Sequence, residues 1–198
     1  MHQPTGEKTD LLAGLLAIRK MHIHAIEQTG LTAADEMLYR KTTDTYLTAF
    51  LCSDWSTFCR RPAASSGSQR QWTTRAGMKN PTSGDLSVML NSVVAARAAT
   101  ALFTVAWEVK TTGNELAHTI LRGAVNKHGN CIPNYHYEDL ITLYDLYQKK
   151  NYQNPAVIVD ANHANSGKKY MEQIRICNEV LHSCRHSKEI ASRQGLYD

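Results

Sequence analysis

The residues best able to do chemistry are Asp160, His163, Lys79, Arg122 and Glu36, and each stands where an apolar run gives way to polar residues. The densest polar cluster, Asp160-Ala161-Asn162-His163-Ala164-Asn165-Ser166-Gly167-Lys168, directly follows Val157-Ile158-Val159. An imidazole just past a strand end can ligate a metal through a neutral ring nitrogen while nearby polar groups fix its tautomer. A hydrogen-bonded structural histidine fits the same spacing. Lys79 sits in Gly77-Met78-Lys79-Asn80-Pro81-Thr82-Ser83-Gly84, ahead of a predicted helix. A cation beside a helix N-terminus suits a phosphate or a carboxylate, though a solvated turn lysine explains the position too. Arg122 closes the run His118-Thr119-Ile120-Leu121. A buried arginine is costly unless paired, so it faces either an anion or a carboxylate, with an ion pair to Glu36 as the structural alternative. His22 and His24 read as packing or surface residues of a helix, and Tyr135-His136-Tyr137 as a packing feature at a helix start.

These groups need elements to hold them. Residues 10–29 carry Leu11, Leu12, Leu15, Ile18, Met21, His22 and Ile26 near one helical face, with Gly30 as a stop. Residues 31–38, ending near Asp35 and Glu36, predict a short buried strand, and 44–51 a second helix. Ser83-Gly84-Asp85 opens a helix over 86–96, with Asp85 in its first turn. The spacing then predicts a strand over 118–123, a helix over 137–148, a strand over 155–160 and a helix from Ser166 onward, with Met171, Ile174, Val180 and Leu181 as its apolar positions. Continuous apolar strands alternating with helices indicate parallel βα units buried on both faces. In such arrays the C-terminal edge of the sheet carries the chemistry, and that is where Glu36, Lys79, Arg122, Asp160 and His163 gather.

Composition narrows the class. A chain of 198 residues, 42% of them hydrophobic, can bury one core, and a net charge of +4 without a basic stripe gives no support to nucleic-acid binding. Cys52, Cys59, Cys131, Cys177 and Cys184 are odd in number, contain no CxxC pair and read as core or surface positions. They point to a reducing compartment rather than a disulfide framework. The polar N-terminus and the lack of a membrane-length apolar run predict a cytoplasmic protein with no membrane partner. One stretch, residues 52–76, has no period and is rich in Ser, Arg and Trp where a strand and its helix are due.

The phrases GMKNPTSGDLSVM, HTILRG and VIVDANHANSGK, in that order, resemble the 3-deoxy-7-phosphoheptulonate synthases, and IRKMHIHAIEQTGLTAADEML resembles that family's first barrel helix and following strand. The likeness covers nearly the whole chain outside its irregular stretches and fits this family better than related phosphoenolpyruvate-condensing barrels. It implies a (β/α)8 barrel of class α/β, condensation of phosphoenolpyruvate with erythrose 4-phosphate at the start of the shikimate pathway, a divalent metal of the Mn, Fe, Co or Zn class, and a homo-oligomer. By motif match, Lys79 and Arg122 are catalytic, substrate-binding cations, Asp160 and Glu36 lie close to substrate, and His163 is a metal ligand.

The same resemblance implies an incomplete barrel formed by one domain over residues 1–198. A ligand cysteine and a Lys-Pro-Arg-Thr motif are expected before Met1, and two acidic ligands on and beyond the eighth strand, past Asp198. A catalytically inactive remnant or a partner-binding pseudoenzyme is therefore the alternative to an active synthase. Residues 53–65, back-translated and read one base later, can give V-I-G-A-R-S-V-E-D-Q-Q-H-R, like the family's Gly-Ala-Arg segment, and residues 99–106 can give H-S-F-I-Y-R-G. Compensating frameshifts are the expectation for both stretches.

Overall fold

The computed structural model describes residues 8–30, 34–35, 56–59, 75–103, 108–150 and 155–187, within two compact units, Met1–Ala33 and Ala34–Asp198. In the first unit α1 runs over Lys8–Thr29. Gly30 ends it at φ +68°, a left-handed conformation, with its N–H donating to the Ile26 carbonyl at 2.8 Å. Ile18 and Met21, read as part of an apolar face, are 48% and 60% exposed.

The described elements of the second unit are β1 (Ala34–Asp35), β2 (Ser56–Cys59), β3 (Arg75–Lys79), α2 (Leu86–Arg97), β4 (Thr100–Phe103), β5 (Glu108–Thr111), β6 (His118–Leu121), β7 (Ala124–Val125), β8 (Cys131–Ile132), α3 (Tyr137–Lys150), β9 (Val157–Val159), α4 (His163–Ser166) and α5 (Glu172–His186). A five-stranded sheet takes the order β1-β2-β3-β6-β9, and each of its pairings is parallel. Strand order follows chain order without reversal. A doubly wound sheet reverses at a switch point, whereas a singly wound array adds each strand to the same edge. The class is thus α/β with a parallel sheet, and an eight-stranded closure is not among the described strands.

The core explains the order. Along β6 all four residues are buried, as expected for a strand covered on both faces. Met78, Leu121 and Val157 meet Met89, Leu90 and Val93 of α2, Leu140, Leu143 and Tyr147 of α3, and Ile176, Val180 and Cys184 of α5 in one cluster. The Asp85 carboxylate caps α2, accepting from the Ser87 backbone N–H at 2.8 Å and the Ser87 hydroxyl at 2.7 Å. Tyr147 ties α3 to the sheet, its hydroxyl 2.8 Å from both Thr119 Oγ1 and the Ala156 carbonyl. At the start of α3, His136 Nδ1 lies 2.6 Å from Glu179 Oε1 of α5, and the Tyr135 hydroxyl oxygen accepts from Arg175 at 2.9 Å.

Three expectations change. The helix predicted from Ser166 is two elements, because Gly167 at φ +59° and Lys168 at φ +61° turn the chain before α5 begins at Glu172. Met171 and Ile174 are consequently 67% and 68% exposed rather than core; the inward stripe is Ile176, Val180 and Cys184, and Ile174 lies roughly 200° around the helix from Ile176. Second, the patternless residues 52–76 contain β2, which pairs in parallel with β1 on one side and β3 on the other. Backbone pairing needs no side-chain period. Third, two antiparallel hairpins, β4–β5 and β7–β8, interrupt the βα array. The predicted helix over 44–51, most of the strand over 31–38 and Glu36 itself lie outside the described residues. Among the described residues no helix is long and apolar enough to cross a membrane.

Candidate active site

Side chains alternate along a strand, and the sheet uses its two faces differently. Met78, Leu121, Val157 and Val159 face the helices. The alternation assigns Gly77 and Lys79, Ile120 and Arg122, and Ile158 and Asp160 to the opposite face. Gly77 fits this face because a Cβ there would run into the Ile120 side chain. Three charged residues therefore leave the ends of adjacent strands β3, β6 and β9 on the face turned away from the helices.

Two of them touch. Lys79 Nζ is 3.5 Å from Asp160 Oδ2, with side chains 9% and 15% exposed. The same carboxylate oxygen lies 2.7 Å from His163 Nδ1, and Asp160 Oδ1 accepts from the Asn162 N–H at 2.8 Å. An ionised carboxylate can only accept, so the proton of this contact sits on Nδ1, and in the neutral ring that leaves the lone pair on Nε2. His163 itself stands at φ +44°. A non-glycine residue held in this region stores strain, which concentrates at functional sites. The His163 carbonyl, accepting from the Lys168 N–H at 2.9 Å, helps hold it there.

Arg122 follows β6 directly and is half-buried. Its guanidinium has no hydrogen-bond or ion-pair partner among the described residues, while its backbone N–H donates to Asn80 Oδ1 at 2.9 Å. Lys79, Arg122, Asp160 and His163 thus share one sheet edge; Glu36, the proposed partner of Arg122, lies outside the described residues.

Sequence reading missed three amides at this edge. Asn80 and Asn165 are buried, Asn134 is half-buried, and all three hydrogen-bond across strand ends. Asn165 stands in the polar cluster that follows the strand predicted over 155–160, and Asn80 directly follows the candidate cation Lys79; no comparable signal marks Asn134. Among the described residues no three His, Cys, Asp or Glu side chains converge as a metal would need. One carboxylate-held imidazole is a single ligand, so the described residues alone do not make a metal centre.

Known proteins are similar to this chain in sequence and in fold. The phospho-2-dehydro-3-deoxyheptonate aldolase of Haemophilus influenzae is 33% identical over 175 residues, which is 84% of this chain and 46% of that protein. The aldolase of the same name from Corynebacterium glutamicum is 32% identical over 109 residues, 52% of this chain and 27% of that protein. The solved phospho-2-dehydro-3-deoxyheptonate aldolase of Francisella tularensis SCHU S4 superposes with a TM-score of 0.65 at 24% identity, covering 79% of this chain and 46% of that one. The chain is similar in sequence to the phospho-2-dehydro-3-deoxyheptonate aldolases. No family model matches it. It spans about half the length of the Haemophilus aldolase, and less of the Corynebacterium one. The fold shared with the Francisella aldolase is the one that brings Lys79, Arg122, Asp160 and His163 to a single edge here.

Proposed function

We propose that this edge binds phosphoenolpyruvate and condenses it with erythrose 4-phosphate to 3-deoxy-7-phosphoheptulonate, the opening reaction of aromatic amino acid biosynthesis. The observation that carries the reading is the shared edge itself, with two cations and a carboxylate-held imidazole at the ends of adjacent parallel strands of a chain that is 33% identical to a named aldolase. Phosphoenolpyruvate bears a phosphate and a carboxylate. Arg122, which has no internal partner among the described residues, is suited to grip one of them bidentately, and Lys79 supplies a compact charge beside it. In the condensation the enol carbon attacks the aldehyde carbon and a C–C bond forms. Water adds its oxygen to the former enol-phosphate carbon and one of its protons goes to the new alkoxide; the hydroxyl so formed gives its proton to the departing phosphate as the C–O bond to phosphate breaks and the ketone forms. Cations already fixed at the phosphate stabilise the charge that collects there, without reorganising during the reaction.

A divalent ion, when bound, supplies Lewis-acid polarisation of the aldehyde carbonyl. His163 Nε2 is the ligand this edge offers it, with Asp160 holding the ring in the required tautomer. The same reading takes the five parallel strands as an arc of a (β/α)8 barrel in a cytoplasmic homo-oligomer; Cys131 is a free thiol, which suits a reducing compartment.

The test is a direct assay of heptulosonate formation from the two substrates with added Mn²⁺, run on protein shown to melt cooperatively. A roughly 10- to 100-fold loss of product formation in Arg122→Leu supports the reading. A cooperatively folded chain that yields none overturns it in favour of an inactive relative.

A further inference from the structure

We infer that Asn80, Asn134 and Asn165 are positioning residues: one connected set of amides that fixes Lys79, Arg122 and the Asp160–His163 pair relative to each other. The inference deepens the proposed anion site, on whose reading its functional meaning rests, but it can be tested without turnover.

A parallel strand that ends inside the protein leaves backbone N–H and C=O groups beyond the last ladder bond, and buried groups of this kind must find partners. A side-chain amide is the one small group that gives two donors and an acceptor at once. Asn80, 1% exposed, follows Lys79 and uses all of that capacity. Its Nδ2 donates to the Gly123 carbonyl and to the Pro81 carbonyl, both at 2.9 Å. Its Oδ1 accepts from the Arg122 N–H at 2.9 Å and from Asn134 Nδ2 at 3.2 Å.

Asn134 carries the chain onward. Its Oδ1 accepts from the Gly123 N–H at 2.7 Å, and its backbone N–H donates to Asn165 Oδ1 at 2.9 Å. Asn165 closes the series, its Nδ2 donating to the Leu121 carbonyl at 3.2 Å and to the Asp160 carbonyl at 2.8 Å. The ends of β3, β6 and β9 are thereby linked through side chains, not only through the ladder. Every charged residue of the edge is gripped at or next to its own backbone: Lys79 through its neighbour, Arg122 by its N–H, Asp160 by its C=O. Gly123 makes the close approach possible. It adopts φ +75°, and a Cβ there would come within 2.7 Å of the Asn165 backbone nitrogen.

A merely structural network would change stability and nothing else. A positioning network also changes the local state of His163, which none of Asn80, Asn134 and Asn165 touches in a hydrogen bond. The experiment uses the full chain with ¹⁵N-labelled histidine and follows the ring nitrogens of His163 by NMR in Asn80→Ala and Asn134→Ala. Val180→Ala, a core change away from the edge, serves as the stability control. The expected result is that His163 loses its fixed Nδ1–H tautomer in both amide variants, its two nitrogen signals moving towards each other, while Val180→Ala lowers the melting temperature and leaves those signals in place. Unchanged His163 signals in the folded amide variants would overturn the inference, as would an equal change in Val180→Ala. If Asn80→Ala does not fold, the half-buried Asn134→Ala decides alone. Failure of wild-type turnover with a clamp-dependent His163 sinks only the proposed reaction; intact turnover with an indifferent His163 sinks only the clamp.

Discussion

Lys79 and Arg122 are both cations at the C-terminal edge, yet their surroundings make opposite demands on the protein. Lys79 reaches Asp160 from a side chain only 9% exposed, so removing its charge leaves a mostly buried carboxylate without that partner, a loss on the order of 3 kcal/mol for buried pairs. Arg122 is half-buried and has no partner among the described residues, so its removal strands none of them. Lys79→Met is therefore expected to lower stability by about 2–4 kcal/mol in urea melts. Arg122→Leu is expected to stay within about 1 kcal/mol of wild type in the same melts. On the proposed function, both lose roughly 10- to 100-fold in kcat/KM for phosphoenolpyruvate, the worth of one charge-assisted hydrogen bond. Equal stability losses in the two variants would contradict the pairing geometry.

At the scale of elements, α5 and α2 each offer a contrast. Ile176 is fully buried and Ile174 is 68% exposed. Ile176→Ala should cost about 2–5 kcal/mol through lost burial and the cavity it leaves, against no more than about 0.5 kcal/mol for Ile174→Ala, measured by denaturant midpoint. For α2 the test is pH. The Ser87 hydroxyl, and then the Ser87 backbone N–H, hold the Asp85 carboxyl below its usual value of 3.8. A group whose folded pKa is depressed contributes stability above its unfolded value, and that contribution is lost as pH falls through the folded one. Asp85→Ala should thus melt below wild type at pH 7, and the gap should close as pH drops below 3.8. A gap independent of pH would mean that the cap works without its charge.

For the whole molecule, the parallel sheet predicts a gradient of stability. β6 pairs with β3 on one side and β9 on the other, and its four residues are all buried, whereas β4 and β5 pair only with each other among the described strands. Native-state hydrogen exchange should show the Ile120 and Leu121 amides exchanging at least roughly tenfold more slowly than the amides shared between β4 and β5. Comparable rates would mean that the hairpin and the sheet open as one unit.

The elements with strong local signals were legible in the sequence: the apolar runs of β6 and β9, the Asp85 cap of α2, and the helical spacing of α3. The candidate residues were legible too, because a charge placed directly after an apolar strand is costly to bury without a partner or a ligand, and a parallel array brings such strand ends to one edge. What the sequence could not supply was contact. Lys79 and Asp160 are far apart in the chain and meet only because β3, β6 and β9 lie side by side. The phase of α5 depended on a turn at Gly167 and Lys168 that hydropathy does not record. Asn80, Asn134 and Asn165 look like ordinary polar residues until three strand ends converge on them. Local chemistry chose the elements and the candidate groups; long-range backbone pairing decided which groups touch, since only packing sets distances between residues that the chain keeps apart.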